Sequence, residues 1–232
     1  MSNIKINLID VGCADYLIKP WVDYSNNINF ILGFDVSGTK KYHKQLKLKK
    51  IKHKIINKVI FDEERIRELY SCYKLQNSSL FYPNSEIVEK FIIKGLAKNK
   101  IERRKKDFTV KENIKVNCVR LDNTIVDLGV DFDFIKIDTQ GADFNVLKSL
   151  GKFLDTQIIG IEAELFYKEL YKGIALFHEV DSFLKEHNFY KFKRFGCQKK
   201  KAYCEFLYIR EDDAKKEKIK FIKNIYKKFK KG

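Results

Sequence analysis

Short apolar runs recur along the chain, and polar or turn-forming residues bound each of them. Runs of this length that are rich in Ile, Val, Leu and Phe are typical of strands buried on both faces of a sheet. The predicted strands are residues 6–12, 29–35, 54–61, 114–121, 132–138 and 158–164. The chain is therefore expected to build its core around a sheet.

Apolar residues at helical spacing fill most of the intervals between these runs. Helices are predicted at residues 17–24, 63–75, 86–97, 142–150 and 174–187. Strands that alternate with helices form βαβ units, so the sheet is predicted to be mostly parallel. Two further runs, 189–195 and 203–210, are joined by a short connection and are predicted to close the sheet as an antiparallel pair.

Acidic residues fall at the ends of the apolar runs, at Asp10, Asp35, Asp138 and Glu162. Ligands bind at the carboxyl ends of parallel strands, so these side chains are predicted to lie along one edge of the sheet. Each of these acids, taken alone, has a simpler explanation than a binding site. A carboxylate at a strand end can stay hydrated and so avoids the free-energy cost of burial. The group as a whole favours a binding site.

The loop after the first run carries a single glycine, Gly12, followed by Cys13 and Ala14. Glycine allows a sharp turn and a close backbone approach, and Asp35 at the end of the second run is placed to bind the two hydroxyls of a ribose. A full G-x-G-x-x-G is missing, which argues against a dinucleotide. S-adenosylmethionine (SAM) has a sulfonium cation and no phosphate, so it suits this acid-rich loop better; an ordinary strand-to-turn junction is the alternative. The predicted cofactor contacts in this half of the chain are Asp10, Gly12, Cys13, Ala14 and Asp35.

Several segments, taken in order, resemble the FkbM family of methyltransferases. The resemblance covers about residues 6–210, and its strongest part is FIKIDTQGAD at 134–143. The other matching segments are IDVG (9–12), PW (20–21), LGFD (32–35), NSSL (77–80), PN (83–84), VRLD (119–122), VLK (146–148), IEAEL (161–165), LYKG (170–173) and LFHEVD (176–181). The ordered set is more specific than any one of its parts.

The resemblance implies a Rossmann-like class I methyltransferase fold over residues 1–210. The remaining residues, 211–232, are predicted from their own pattern to be a lysine-rich amphipathic tail. The resemblance also implies SAM as the cofactor and transfer of the methyl group to an oxygen of a small acceptor, such as a saccharide or glycan hydroxyl. By position, Asp138 is expected to bind the cofactor nearest the transferred methyl, with Glu162 or Glu164 holding acceptor hydroxyls. These three carboxylates are the catalytic candidates, because a hydroxyl acceptor must lose its proton to a positioned base.

Asp35, Gln140 and Asp143 depart from the family pattern, since many members have Glu at these positions. An amide cannot act as a general base, which puts a catalytic role for position 140 in doubt. The chain also begins almost at its first strand, so another element, such as the C-terminal tail, is expected to cover the cofactor. A SAM-binding protein without activity therefore stays open as an alternative.

The chain is strongly basic, with 47 Lys+Arg against 31 Asp+Glu and a formal charge of +16. A nucleic-acid-binding module is thus a rival hypothesis, but it predicts basic and aromatic residues interleaved on one face, whereas the basic runs here lie largely outside the acid-ended strands. The lysines at 40–58 either bind an anionic acceptor or form a solvated surface. The tail places Ile219, Ile222, Tyr226 and Phe229 on one side of a helix. That helix can contact an anionic membrane, but packing on the protein itself or on a partner is favoured.

The five cysteines include no C-x-x-C pair, so neither a disulfide framework nor a zinc site is expected, and a reducing compartment fits better. There is no signal-like start and no run near the roughly 18 apolar residues of a membrane span, so a cytoplasmic protein is expected. No ligand spacing calls for a metal. Asp131 and Asp133 are interpreted as a solvated strand entry, and His43 and His53 as solvated among lysines. The oligomeric state is left open.

Overall fold

A computed structural model describes residues 4–36, 38–198 and 200–229. Its strands are β1 (Ile6–Val11), β2 (Ile28–Phe34), β3 (Lys52–Ile56), β4 (Val59–Ile60), β5 (Ile66–Cys72), β6 (Val110–Val119), β7 (Phe134–Ile137), β8 (Gly160–Phe166), β9 (Phe189–Phe195) and β10 (Tyr203–Arg210). Seven of them form the main sheet, in the order β3-β2-β1-β7-β8-β10-β9. The other strands form a small sheet, in the order β4-β6-β5.

The helices lie between and beside these strands. They are α1 (Lys40–Leu48), α2 (Ser85–Ile87), α3 (Lys98–Asp107), α4 (Leu121–Leu128), α5 (Asp143–Lys148), α6 (Phe153–Thr156), α7 (Phe177–Glu186) and α8 (Lys216–Lys228). The helix predicted at 86–97 is in fact α2 followed by a π-type turn at Val88–Ile93. The helices predicted at 142–150 and 174–187 are confirmed as the shorter α5 and α7.

The central strand β1 pairs in parallel with β2 on one side and β7 on the other, and β8 continues the parallel set. Strand β10 runs antiparallel to both β8 and β9. The carboxyl ends of β1, β2 and β7 therefore meet at one edge. A parallel sheet closed by an antiparallel pair in this strand order is the class I methyltransferase fold, so the predicted fold class is confirmed.

The sequence of β1 is apolar at almost every position because the strand is covered on both faces. Ile6 and Leu8 enter one apolar core, whereas Ile9 and Val11 enter another on the opposite face. Burying each such side chain stabilises the fold by roughly 1.5–3 kcal/mol. The two polar residues of the strand are the partly exposed Asn7 and the buried Asp10. The surroundings of Asp10 belong to the site described below.

The helix predicted at 63–75 is wrong, because most of that segment is strand β5. Ile66, Leu69 and Tyr73 fit helical spacing, but exposure alternates along the start of the strand, as it does when one face of a sheet is covered. The strand predicted at 54–61 is divided by the structure. Its first part belongs to β3 of the main sheet, and its last part to β4 of the small sheet.

No α-helix forms at 17–24, so that prediction is also wrong. The segment consists of turns that lead into a short 3-10 segment at Ser25–Asn27. Pro20 has no N–H to give to a helical ladder. Leu17 and Trp21 are both buried, so the turns carry two apolar side chains into the core.

The C-terminal helix α8 packs against the main sheet. Its residues Ile219, Ile222, Ile225 and Tyr226 are buried in a core that also contains Trp21. This is the self-packing alternative for the tail, and it removes the apolar stripe from any membrane surface. Within the described ranges, no helix has both the length and the apolar character needed to cross a bilayer.

Cys197 and Cys204 form a disulfide, contrary to the sequence expectation. Pairing of β9 with β10 brings the two ends of their short connection together, with the Cα atoms 4.1 Å apart, a proximity that motif spacing does not reveal. Cys13, Cys72 and Cys118 are free and buried.

The expectation that Asp133 is solvated is wrong. Asp133 is only 1% exposed, and it forms ion pairs with Lys215 and Lys218 at the start of α8. It is therefore a buried anchor for the C-terminal helix. His43 and His53 hydrogen-bond each other, with Nδ1 of the first 2.9 Å from Nε2 of the second.

Candidate active site

A cleft opens at the carboxyl edge of β1, β2 and β7, where α/β sheets bind ligands. The strand-end loops contribute Gly12, Ala14, Asp35, Asp138 and Gln140 to its lining. The small sheet and the segment before α2 supply apolar walls, formed by Val59, Ile60, Leu69, Leu75 and Leu80. The edge predicted from the strand-end acids is thus the edge that carries the cleft.

Gly12 is required by the approach of two protein segments, rather than only by the approach of a ligand. Its φ is +84°, and a Cβ on it would lie 2.0 Å from the backbone oxygen of Asp138. The loop after β1 therefore fits against the loop after β7 only without a side chain. The amide N–H of Asp138 donates to Val11 O at 3.0 Å, which fixes the contact.

Asp10 and Cys13, both predicted cofactor contacts, do not line the cleft. Asp10 is 2% exposed, accepts a hydrogen bond from the Tyr42 hydroxyl at 2.6 Å, and lies 3.4 Å from Lys136 Nζ. Cys13 is also buried, and burial together with the Asp10 carboxylate raises the pKa of its thiol. Their side chains lie beneath the loop and support it.

Lys136 is a buried cation among acids. Burial alone would lower its pKa, but the carboxylates of Asp10, Asp138 and Glu162 together raise it above the ordinary value. Lys136 thus stays charged and compensates the negative charge under the loops. An ammonium buried this deeply is tolerated because it is paired.

Glu162 lies under α8 rather than at the cleft. It is 3% exposed and accepts a hydrogen bond from the Tyr226 hydroxyl, which in turn accepts one from Trp21 Nε1 at 3.0 Å. The structure therefore does not place Glu162 where it could hold the hydroxyls of a methyl acceptor, contrary to the sequence expectation. Glu164 follows it on the same face of β8, about 7 Å nearer the carboxyl edge, and is only half-buried.

Gln140 connects the loop after β7 to Glu164. Its Nε2 donates to Asp138 Oδ1 at 2.9 Å and to Glu164 Oε1 at 3.2 Å. Its Oε1 lies 2.9 Å from the hydroxyl of the buried Tyr171. The family segments include Tyr171, but the sequence gave no role to it and did not indicate the bridge made by Gln140, because the bridge joins three distant segments.

Asp143 lies behind this loop at the start of α5. It is 3% exposed, and its Oδ2 accepts hydrogen bonds from the Thr139 hydroxyl at 2.9 Å and the Gly141 N–H at 3.3 Å. Its Oδ1 has no hydrogen-bond partner among the described residues. Burial, and then the charge of Asp138, raise the pKa of this carboxyl to about 7.

The lining of the cleft suits SAM in polarity and charge. Its apolar walls suit an adenine ring, and Asp35 suits the ribose hydroxyls. Its charged lining in the described ranges comprises the carboxylates of Asp15, Asp35 and Asp138 and the ammonium of Lys58. This net negative lining suits the sulfonium and ammonium groups of the donor. The described residues contain no group of three or more His, Cys, Asp or Glu placed to hold a metal ion.

The chain is similar to several solved structures and to one protein family. Among solved structures, the chain is similar to magnesium protoporphyrin IX methyltransferase from Synechocystis PCC 6803 with bound SAM, at 9% identity and a TM-score of 0.40, over 90% of this chain and 71% of that one. It is also similar to a SAM-dependent methyltransferase from Clostridium acetobutylicum, at 10% identity and a TM-score of 0.39, over 89% of this chain and 84% of that one. No curated protein matches the sequence significantly. The methyltransferase FkbM domain matches residues 2–190. The chain therefore belongs to the FkbM family of SAM-dependent methyltransferases.

Proposed function

We propose that this methyltransferase acts on an oxygen of a small, hydroxyl-bearing acceptor, such as a saccharide, with Asp138 as the base. The observation that carries the proposal is the position of Asp138. Its side chain is exposed, lines the cleft, and directly follows β7 beside Gly12. Of the three carboxylates predicted to be catalytic, it is the one that lines the cleft.

When bound, SAM supplies an already activated methyl group. The chain must then hold the acceptor oxygen in line with that group. Such alignment supplies much of the reduction in the activation barrier. Asp35 and the Gly12 loop position the cofactor, while Leu69 and Leu80 keep water from one side of the cleft. The Asp138 carboxylate accepts the proton that the hydroxyl loses.

Glu164 is proposed to bind a second hydroxyl of the acceptor. It is joined to Asp138 through the Gln140 amide, so the two carboxylates lie on either side of one side chain. Paired carboxylates accept hydrogen bonds from vicinal hydroxyl groups, which supports a saccharide over an acceptor with a single hydroxyl.

The experiment is calorimetry with SAM and S-adenosylhomocysteine (SAH), followed by a screen of neutral and acidic saccharides with SAM as donor and detection of the methylated product. We expect Asp138→Asn to keep SAH affinity within about threefold and to reduce turnover at least 100-fold, the usual range for loss of a general base. The matched control is Asp127→Asn, an exposed carboxylate on α4 outside the cleft. Full turnover by Asp138→Asn would remove the assignment.

The two alternatives give different results in the same measurements. A SAM-binding protein without activity would bind SAH but methylate no acceptor. A nucleic-acid-binding module would bind neither SAM nor SAH, and its affinity for an oligonucleotide would fall steeply with salt.

A further inference from the structure

The backbone of Gln140 is held in an unusual conformation. Its φ is +53°, in the left-handed region that residues other than glycine rarely adopt. The Ser79 hydroxyl donates to its backbone oxygen at 2.7 Å. The next residue, Gly141, also has a positive φ, and a Cβ on it would lie 2.6 Å from the Ile174 side chain. The turn is therefore fixed by Ser79 on one side and by Ile174 on the other. Strained backbone of this kind is common where a functional side chain must be held in one orientation.

The orientation of the Gln140 amide is also fixed. The buried Tyr171 hydroxyl lies 2.9 Å from Oε1 of Gln140 and 3.1 Å from the backbone oxygen of Asn77. Burial, and then the Glu164 carboxylate, raise the pKa of Tyr171 well above its ordinary value, so the hydroxyl keeps its proton and acts as a donor. A flipped amide would turn its oxygen toward two carboxylates, which is repulsive. The observed orientation presents both N–H groups to Asp138 and Glu164.

We propose that Gln140 is a positioning residue that holds Asp138 and Glu164 as a pair of hydrogen-bond-accepting carboxylates beside the cleft. A neutral amide has two N–H donors and can satisfy one oxygen of each carboxylate at a fixed spacing. A glutamate at this position would have the same shape but would place a third carboxylate between the other two. The part of the inference that concerns catalysis rests on the proposed function; the pairing of the carboxylates does not.

Other charged and titratable groups surround this bridge and must be considered in any test by pH. From β7 and from α5 they are Lys136 and Asp143. From the other elements, Cys72 of β5 and Tyr203 of β10 act on Tyr171. Arg104 of α3 and Glu205 of β10 act in turn on Tyr203. Because Asp143 itself titrates near neutral pH, each variant must be compared with the wild type at the same pH.

The first experiment measures thermal unfolding of the unliganded protein at low salt between pH 5 and 8, for the wild type, Gln140→Glu and Gln140→Met. Met removes the hydrogen bonds without adding charge. We expect the melting temperature of Gln140→Glu, relative to that of Gln140→Met, to fall by roughly 4 °C or more between pH 5 and pH 8. The double variant Asp138→Asn with Gln140→Glu should recover at least half of that loss, because it restores an amide–carboxylate contact. The proposal would be overturned if the melting temperatures of Gln140→Glu and Gln140→Met changed equally with pH. It would also be overturned if the double variant recovered none of the lost melting temperature.

The second experiment measures SAH affinity of the same proteins at pH 5.5 and pH 8. We expect Gln140→Glu to bind SAH about as tightly as the wild type at pH 5.5 and at least 10-fold more weakly at pH 8, because carboxylate repulsion displaces the loop after β7, whose residues Asp138, Thr139 and Gln140 line the cleft. Asp138→Asn adds no charge and leaves this loop in place. A loss that is equal at both pH values would show a merely structural role for Gln140. Absence of SAH binding by the wild type would refute the proposed function, whereas the unfolding experiment would still decide the pairing of the carboxylates.

Discussion

Replacement of Asp143 by Asn tests the electrostatics of the site without any ligand. The pKa of this buried carboxyl is raised from 3.8 to about 7. Between these values the folded protein holds a proton that the unfolded chain has released, so stability falls as the pH rises from about 4 to 7 and is level above. About three pH units at 1.36 kcal/mol each amount to about 4 kcal/mol.

Asn removes this titration and retains most contacts of the carboxyl. Its oxygen can accept from Thr139 and Gly141, and its nitrogen takes the place of Oδ1, the atom without a hydrogen-bond partner in the described part of the chain. We expect Asp143→Asn to gain stability relative to the wild type as the pH rises, by as much as about 4 kcal/mol at pH 8.

Urea unfolding at pH 5, 6, 7 and 8 measures this difference, and the exposed Asp127→Asn is the control for the removal of a surface carboxylate. The control should change little with pH over this range. A stability difference between Asp143→Asn and the wild type that is independent of pH, or that increasingly favours the wild type at high pH, would refute the reasoning.

Three substitutions test the contacts beneath the cleft. Gly12→Ala should destabilise the protein by at least about 2 kcal/mol and weaken SAH binding, because its Cβ would meet the Asp138 backbone at 2.0 Å; near-wild-type melting would contradict this. Lys136→Met should cost about 3–5 kcal/mol in urea unfolding, since it removes the cation paired with the buried Asp10; a cost below about 1 kcal/mol would count against the network. Tyr226→Phe removes one donor to the buried Glu162 and should cost about 1–3 kcal/mol without changing SAH affinity; a large loss of affinity would mean that Glu162 acts at the cleft.

The central strands of the main sheet, β1, β2, β7 and β8, could be predicted because both of their faces are covered. Every residue of β7 is buried, and so short an apolar run fits few structures other than a buried strand. The acids at the ends of such strands identified the edge of the sheet that carries the cleft. The family segments also pointed to Asp138, which lines this cleft. The class I methyltransferase fold, by contrast, came from the resemblance rather than from the pattern of residues.

Features that depend on distant segments could not be predicted. The spacing of Ile66, Leu69 and Tyr73 fits a helix as well as a strand, and only pairing with β6 decides between them. Glu162 and Glu164 look equivalent in sequence, yet α8 covers the first and leaves the second beside Gln140. The disulfide likewise depends on the pairing of β9 with β10.

The most direct test of the account is calorimetric titration of the wild type and Asp35→Asn with SAH. The wild type should bind with measurable heat, and Asp35→Asn should bind at least 10-fold more weakly, a loss of about 1.4 kcal/mol, because Asp35 lines the cleft where the ribose hydroxyls are expected. No heat and no melting shift in the folded wild type at millimolar SAH would contradict the central claim that this cleft holds the methyl donor.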